Sequence, residues 1–450
     1  MSFKNFLEQS VSIAPLVSLR IIFGAVMLLS TLRYMYMGWV DSQLVDPMLH
    51  FSYYGFDWVE AVSREWMYFI FWTMALSSFM IIIGAWYRLA SIIFFLCFTY
   101  VELVDITYYL NHYYFVSIIS FLMILVPANS YLSLDSVRKV GIQKNRVSRW
   151  CILIFKIMLG IVYVYAGLAK INFDWLVNAM PLAIWLPSKS HIPIIGELFN
   201  YKLTAYVFSW AGMLFDTFII LGLLFKKTRW ASYALVIAFH VMTGILFRIG
   251  IFPVVMIFMV LIFFSENFHE NIITRISNLV GYEKWTTGEE NLRHIPSVKN
   301  KLIIPLLTVF LLFQLVFPWR YLLYPGNLFW TEEGYRFSWR VMLMEKAGAA
   351  TFYVKDGEDG REGSVINHQF LNAHQEKQMA MQPDLILQYA HWLKHHYKEK
   401  GMSDPKVRVE AWVTLNSRPA RLLIDPDVNL TEIEDSWDPK PWILPYPYSN

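Results

Sequence analysis

Cysteine is scarce in this sequence, with two among 450 residues, Cys97 and Cys151. Both lie in apolar stretches that predict membrane spans, so we expect no disulfide, and a metal site of paired cysteines is excluded. Charged residues make up only 16% of the sequence and the formal net charge is +3. A charge this small does not indicate a nucleic-acid-binding protein. Gly-rich phosphate loops, Gly-x-Ser-x-Gly elbows and metalloprotease motifs are also missing.

Apolar residues are abundant instead. Hydrophobic residues make up 56% of the chain, which is too much apolar surface for a soluble protein to bury. Aromatic residues reach 17%, a level typical of membrane-interface belts and of pockets for flat aromatic ligands. The short mixed lead before Pro15 runs into a long apolar stretch, which we interpret as a signal anchor.

The apolar runs predict a multi-span α-helical membrane protein, because a spanning helix needs about 20 mostly apolar residues. We expect about eight or nine transmembrane helices. The candidates are residues 14–36, 64–86, 88–108, 114–134, 150–169, 203–225, 229–249, 251–265 and 302–320. The fourth and eighth are the weakest, since Pro127 and Pro253 interrupt them.

Basic residues gather in three loops of this region. If the spans alternate, all three loops face one side, which the positive-inside rule assigns to the cytoplasm. The clusters are Arg138, Lys139, Lys144, Arg146 and Arg149, then Lys226, Lys227 and Arg229, then Arg275, Lys284, Arg293, Lys299 and Lys301. We therefore expect a cytoplasmic N-terminus and an extracytoplasmic chain after the last span.

The opposite side gathers polar segments that are distant in sequence. Residues 110–114, residues 170–202 and the turn near Arg248 all face outward in this topology, beneath the hydrophilic tail. We divide the chain into a transmembrane domain, residues 1–320, and an extracytoplasmic domain, residues 321–450.

The tail predicts a β-rich α+β domain. Residues 350–355 and 407–415 alternate as strands do, and residues 421–424 form a short apolar run. Residues 383–400 have helical spacing, with Gly401 as the expected stop.

Lys170 ends the fifth predicted span and is followed closely by Asp174 and Trp175. One interpretation is an anchor whose ammonium group snorkels to the membrane surface, the common fate of a lysine at a span end. The other is a general base, because desolvation favours the neutral amine. Gly167 allows close helix packing, which would help to enclose the amine. The pattern alone leaves both open.

Other polar residues have similar alternatives. Asn111 and His112 are typical of a capping and turn pair, or they bind a ring oxygen at the membrane rim. His240 and Asp216 lie inside predicted spans, where a polar group is costly unless it serves a function. His391, His395 and His396 lack a third ligand at a recognised spacing, so no metal is expected.

Several collinear segments from about residue 95 to 440 resemble the vitamin K-dependent gamma-carboxylases, including bacterial relatives built on the horizontally transferred transmembrane (HTTM) domain. The segments are Asn111-His112, Ala166-Gly-Leu-Ala-Lys170 with Asp174-Trp175, Phe239-His240 with Ile249-Gly250, Tyr335-Arg-Phe-Ser-Trp339, Trp412-Val-Thr-Leu-Asn416, Arg418, and Asp425-Pro426. The likeness favours the base interpretation of Lys170.

The resemblance implies a membrane enzyme that couples epoxidation of reduced vitamin K by O2 to γ-carboxylation of protein glutamate with CO2. The reduced quinone would be a phylloquinone or menaquinone hydroquinone, with O2 and CO2 as co-substrates and no metal. Lys170 and His112 would be catalytic. Asn111, His112, His240 and Met342 would bind the cofactor. Tyr335, Trp339, Lys346 and Arg418 of the extracytoplasmic domain would bind the glutamate-containing protein or peptide.

The sequence also departs from the animal enzymes. It has Gly334 where they carry a leucine, Arg336 in place of a glycine, and Met344 where they carry a histidine. We expect a bacterial inner-membrane protein with a periplasmic C-terminal domain, supplied by a quinone reductase, or an endoplasmic reticulum protein in a eukaryote. The alternatives are a quinone-binding sensor or scaffold, a vitamin K epoxidase without carboxylation and, with less support, a transporter.

Overall fold

The computed structural model describes residues 3–247, 249–281 and 300–448. Arg248 lies outside the described residues, as do Lys284, Arg293 and Lys299 of the third basic loop. The helices of the membrane region are α1 Phe3–Glu8, α2 Ala14–Tyr36, α3 Arg64–Ile83, α4 Tyr87–Val104, α5 Asn111–Leu125, α6 Leu134–Arg138, α7 Trp150–Ala169, α8 Phe173–Leu176, α9 Leu182–Trp185, α10 Lys202–Leu224, α11 Arg229–Leu246, α12 Phe252–Met259, α13 Glu266–Leu279 and α14 Asn300–Val316.

Seven helical segments of the described chain are long and apolar enough to span a membrane. They are α2, α3, α4, α7, α10, α11 and the segment Leu302–Leu323, and the bent pair Phe252–Phe263 and Glu266–Leu279 makes an eighth if it counts as one span. This confirms the expected multi-span α-helical membrane protein.

The two proline-containing candidates differ from the expected spans. The fourth is a 15-residue helix, α5, which ends at Leu125 because Pro127 forces an extended backbone at Val126. Pro253 lies in the first turn of α12, where a proline is tolerated, so it starts that helix rather than interrupting it. The chain then bends by 112° between α12 and α13.

The C-terminal region is built around a four-stranded antiparallel sheet of order β4-β3-β5-β6. Its strands are β3 Lys346–Lys355, β4 Glu362–Ser364, β5 Lys406–Leu415 and β6 Arg421–Leu422, while β1 Ser10–Ser12 and β2 Arg146–Ser148 pair in the membrane region. The helices are α15 Leu328–Thr331, α16 Ala373–Met379 and α17 Pro383–Glu399. The expected α+β domain is confirmed, while its division from the membrane domain at residue 320 stays a prediction.

The sheet and α17 share one apolar core. Alternate β5 residues such as Val409 and Ala411 are buried, and so are Leu385, Tyr389 and Leu393 on one face of α17. The helix ends before Gly401, whose φ of 93° is the left-handed conformation that glycine adopts most readily.

This domain docks on one end of the helical bundle. Gln375 Nε2 donates to Asp105 Oδ2 at 2.8 Å, just after α4 ends. Gln388 Oε1 accepts from Ser52 N at 3.0 Å. The docked end is the one where α7 stops at Lys170 and α5 begins at Asn111. The outward-facing polar segments of the sequence therefore meet the tail, as expected.

Candidate active site

Lys170 follows the last residue of α7, at a point where α7 and α10 pack closely. A Cβ placed on Gly167 would lie only 2.6 Å from Thr217 N of α10, so a glycine is needed there. This close approach of α7 and α10 confirms the prediction that Gly167 allows close helix packing. It also brings Lys170 against Asp216, the residue that precedes Thr217.

The ammonium group of Lys170 is buried and paired. Its Nζ lies 2.7 Å from Asp216 Oδ2 and 3.2 Å from Ala166 O, and the residue is only 6% exposed. The ring of Trp175 lies 5.4 Å from Nζ. Lys170 therefore points into the bundle and not toward the membrane surface.

Lys170 and Asp216 line a cavity of about 300 Å³, which we call the apolar cavity. Residues three or four apart on each of three helices supply most of its wall, because such residues share one helix face. They include Tyr163 and Ala166 of α7, Gly212 and Asp216 of α10, and Phe239, His240 and Thr243 of α11. Met342 of the tail also lines it.

His240 has one ring nitrogen engaged and one without a partner. Its Nε2 lies 2.8 Å from the Tyr163 hydroxyl. Its Nδ1 is buried and forms no hydrogen bond with the described residues. Buried polar atoms are nearly always hydrogen-bonded, so a free nitrogen beside a cavity suits a ligand with a polar group.

A second, larger cavity of about 520 Å³ lies on the extracytoplasmic side. We call it the polar cavity, since its lining includes Asn111, His112, Tyr335, Arg336 and Lys346. His112 is buried, and its Nε2 has no hydrogen-bond partner within the described chain. A Cβ on Gly250 would lie 3.8 Å from that nitrogen, so the glycine keeps the space beside it open.

The two cavities share a wall made of Ile249, Phe252, Val341 and Met342. The ring of Phe252 lies 5.6 Å from the His112 ring and 5.6 Å from the His240 ring, measured between centroids. Met342 has a φ of 52°, a strained conformation for a non-glycine residue that tends to occur at functional sites. The Lys170 amine and the His112 imidazole thus belong to adjacent compartments.

Two of the predicted site residues, Asn111 and Trp339, have contacts that fix the tail. Asn111 Nδ2 donates to Arg340 O at 2.9 Å and holds the start of the Val341–Met342 wall. Trp339 is fully buried, stacks on Tyr114 with ring centroids 5.0 Å apart, and lines neither cavity.

Lys346 lines the polar cavity but is well coordinated. Its Nζ donates to Trp330 O at 2.7 Å and to Glu332 Oε1 at 2.8 Å. Burial lowers the pKa of Lys346, and the Glu332 carboxylate partly offsets that effect.

Arg418 lies away from both cavities and is joined to Asp174. The guanidinium donates to both carboxylate oxygens, at 2.7 and 2.6 Å. Asn416 and Asn178 donate to the same carboxylate. Burial raises the pKa of Asp174, but these hydrogen bonds outweigh it and hold the pKa below its usual value. The pair ties the tail to the segment that follows Lys170.

The structure gives physical reasons for two departures in the Tyr335–Trp339 segment. Gly334 has a φ of 82°, and a Cβ there would lie 2.8 Å from the Tyr321 Cα, so a larger residue does not fit this backbone. Arg336 donates to Asp384 and Gln382 at the start of α17, which attaches this segment to the domain core.

Sequence reasoning missed Asp216 as the partner of Lys170. Its only signal was an acidic residue inside a span, where a polar group is costly unless it serves a function. Phe252 was missed too, because one phenylalanine among many in an apolar run carries no signal. Among the described residues, no group of three or more His, Cys, Asp or Glu side chains is placed to hold a metal ion.

Two family models match the chain. The HTTM domain model matches residues 8–268, more than half of the sequence. The model of the lumenal domain of the vitamin K-dependent gamma-carboxylase matches residues 299–449. The chain belongs to the vitamin K-dependent gamma-carboxylase family. No solved structure matches it.

Membership of this family supports a vitamin K-dependent, carboxylase-type enzymatic function for the protein. The gamma-carboxylase family implies reduced vitamin K as the cofactor and a glutamate-containing protein as the substrate. The spans and the lumenal domain also support an integral membrane protein whose C-terminal domain is extracytoplasmic.

Proposed function

We propose that this protein couples epoxidation of reduced vitamin K by O2 to γ-carboxylation of protein glutamate with CO2, with Lys170 as the general base. The observation that carries the proposal is the placement of a buried Lys170–Asp216 pair on an apolar cavity that shares a wall with a polar, extracytoplasmic cavity. The first compartment suits the quinone and the second suits the glutamate.

The apolar cavity fits the cofactor that the family implies. Its volume of about 300 Å³ lies at the lower end of the range for small-molecule pockets, and its walls are mostly aromatic and aliphatic. The unpartnered nitrogens His240 Nδ1 and His112 Nε2 suit the ring oxygens of a hydroquinone. His240, Met342 and Phe252 would hold the ring, while His112 lies on the polar-cavity side of the shared wall, against Phe252.

When bound, reduced vitamin K is oxidised by O2 and supplies the strong base that removes the glutamate γ proton, after which CO2 adds. The chain must exclude water from this reaction, because water would protonate both the base and the carbanion. Phe252 and Met342 provide an apolar barrier between the compartments.

The burial of Lys170 on the apolar cavity supports its role as the base that starts the reaction. Its Nζ accepts a proton only when the amine is neutral. A Lys170–Asp216 pair has zero net charge whether the shared proton lies on the amine or on the carboxyl group. We assign Asp216 the role of a positioning residue that shares this proton.

The polar cavity would receive the glutamate side chain. Lys346 and Tyr335 line it, and an ammonium group that already donates to Trp330 O and Glu332 keeps a third N–H for a substrate carboxylate. We assign positioning roles to Asn111, Trp339 and Arg418, because their contacts hold the shared wall and the docked domain. A bacterial inner membrane with a quinone reductase as the source of hydroquinone completes the proposal.

The test is an assay of the purified protein in lipid nanodiscs. Reduced vitamin K, O2, labelled bicarbonate and a glutamate-containing peptide are supplied, and epoxide and peptide-bound label are measured. We expect both products in the wild type and neither in Lys170→Ala. Absence of both products from the wild type, indistinguishable from Lys170→Ala, would overturn the proposal. Epoxide without label would reduce it to an epoxidase.

A further inference from the structure

A third cavity, of about 350 Å³, lies beside the same end of α7 but on another face of the chain. We call it the rim cavity. It is lined by Leu168, Ile171, Asn172, Trp319, Asn327 and Arg340, among others, and shares no lining residue with the apolar or polar cavity. It therefore has no part in the reaction described above.

The polar end of the rim cavity carries a positive charge without a counter-charge of its own. The Arg340 guanidinium carbon lies 4.4 Å from the centroid of the Tyr321 ring. Its Nε is buried and has no hydrogen-bond partner, and Arg340 forms no ion pair with the part of the chain that is described. Neighbouring Arg336 and Arg418, in contrast, each have a carboxylate partner.

The other charged group on this cavity is already neutralised. Asp174 lines the rim cavity, but both of its oxygens accept from Arg418. Asn327 uses Oδ1 to cap α15 by accepting from Phe329 N. Its Nδ2 forms no hydrogen bond with the described residues, so it can donate into the cavity. The site thus offers a guanidinium and an amide to an anion.

The other end of the cavity is apolar and lies at the level where the spans end. Leu168 and Ile171 are exposed at the end of α7, and Trp319 is exposed near the end of the span Leu302–Leu323. The Trp319 indole donates to the Tyr165 hydroxyl at 2.7 Å. Tryptophan and tyrosine at a span end mark the depth of the lipid headgroups.

We propose that the rim cavity binds a membrane phospholipid from the extracytoplasmic leaflet, with its phosphate on Arg340 and an acyl chain along Leu168 and Ile171. A planar guanidinium matches the paired oxygens of a phosphate. The phosphate supplies an acceptor for the buried Arg340 Nε, which has none among the described residues. The apolar rim distinguishes this ligand from an acidic peptide, which would leave Leu168, Ile171 and Trp319 uncovered.

The binding test uses native mass spectrometry of the detergent-purified full chain titrated with dioleoylphosphatidylglycerol. We expect a saturable bound lipid whose affinity falls on the order of tenfold in Arg340→Gln, the value of one lost charge-assisted hydrogen-bonded contact. Arg361→Gln is the matched control, because Arg361 is an exposed arginine on the same side of the membrane, paired with Asp359. It should bind the lipid as the wild type does.

Two further probes identify the source of the phosphate. Dioleoylglycerol has the same acyl chains without the phosphate and should not compete. Inorganic phosphate lacks the chains and should compete only weakly. Equal affinity in wild type and Arg340→Gln, or equal competition by dioleoylglycerol, would overturn the site. Strong competition by inorganic phosphate would overturn the lipid assignment.

A folding defect is distinguished from a lost contact by two measurements. Arg340→Lys keeps the charge but not the paired donors, so its affinity should lie between those of wild type and Arg340→Gln. Thermal unfolding midpoints of all variants should agree in lipid-free detergent. If Arg340→Lys bound the lipid as tightly as Arg361→Gln and the wild type, the positive charge alone would be sufficient. That result would contradict a guanidinium-specific site.

Discussion

Lys170 and Asp174 lie only four positions apart in the sequence, and each forms a buried ion pair. The two pairs differ in their partners, in their hydrogen bonds and in whether they face a cavity. Lys170 pairs with Asp216 inside the bundle through one oxygen, and its one other acceptor among the described residues is Ala166 O. Asp174 pairs with Arg418 of the tail through both oxygens and also accepts from Asn416 and Asn178. The first pair faces the apolar cavity, whereas the second does not.

The difference fits our proposal that Lys170 reacts with the cofactor, whereas Asp174 holds the structure together. A carboxylate with all its acceptor positions filled has nothing left to offer a ligand. An amine that has a single charged partner and lies beside a cavity can still form a hydrogen bond with a ligand in that cavity. The following predictions break each pair in turn, starting with the largest effect.

The largest effect is expected from removal of the Lys170 amine. Lys170→Ala should lower both epoxide formation and carboxylation by about 10³-fold, within the range for loss of a general base. The measurement is the rate of both products at saturating quinone and peptide. The same span offers a matched control in Lys156, which lies about 21 Å earlier along α7. Lys156→Ala should keep nearly full activity, and an equal loss in both variants would mean that the lysines act through folding.

The second effect is on stability. Arg418→Ala leaves Asp174 buried without its main partner, which should cost roughly 3 kcal/mol of unfolding free energy. Denaturant unfolding of the purified protein measures this change. Arg421→Ala is the control, since Arg421 is an exposed arginine nearby whose hydrogen bond goes to the adjacent Ala420 O. A similar stability in the two variants would show that the Asp174 pair does not hold the domains together.

A smaller loss is expected from Asp216→Asn, which keeps the shape of the side chain but cannot share the proton of Lys170. We expect a loss of about 10- to 100-fold in epoxide formation, with a changed pH profile. Asp216→Glu, which retains the carboxylate, should recover part of the rate. A purely structural Asp216 would change the amount of folded protein and leave the pH profile of the remainder as in the wild type.

The smallest effect concerns the pH dependence of stability. The pKa of Asp174 is lowered in the folded protein, so its contribution is fully present above the unfolded value of about 3.9. It is lost as the pH falls through the folded pKa. Between neutral pH and about pH 3, the wild type should lose more stability than Asp174→Asn. Parallel unfolding curves for the two proteins would contradict the assigned role of the pair.

Much of the fold could be predicted because apolar runs and alternation are local properties. The strands at residues 350–355 and 407–415 and the helix from Pro383 were found from their spacing. The short α5 was not, because hydropathy counts apolar residues beyond Pro127 that the backbone cannot keep in a helix. The bend after α12 was not predicted either, and it falls at Ser265, whose hydroxyl caps α13 by accepting from Phe268 N.

The site was predictable only where a polar residue stood out from an apolar background. Lys170, His112 and His240 had that contrast, and each lines one of the two cavities. The pairing of Lys170 with Asp216 was hidden because 46 residues separate them and because the close approach of their helices at Gly167 is a tertiary contact. The Asp174–Arg418 contact spans 244 residues and likewise has no local signature.

The most direct test of the role of Lys170 is a single-turnover measurement with reduced vitamin K in wild type and Lys170→Ala. The account predicts that the dissociation constant of the quinone changes by less than about threefold, since the apolar walls remain, while the rate constant of oxidation falls by about 10³. An unchanged rate constant, with any loss confined to quinone binding, would contradict Lys170 as the base.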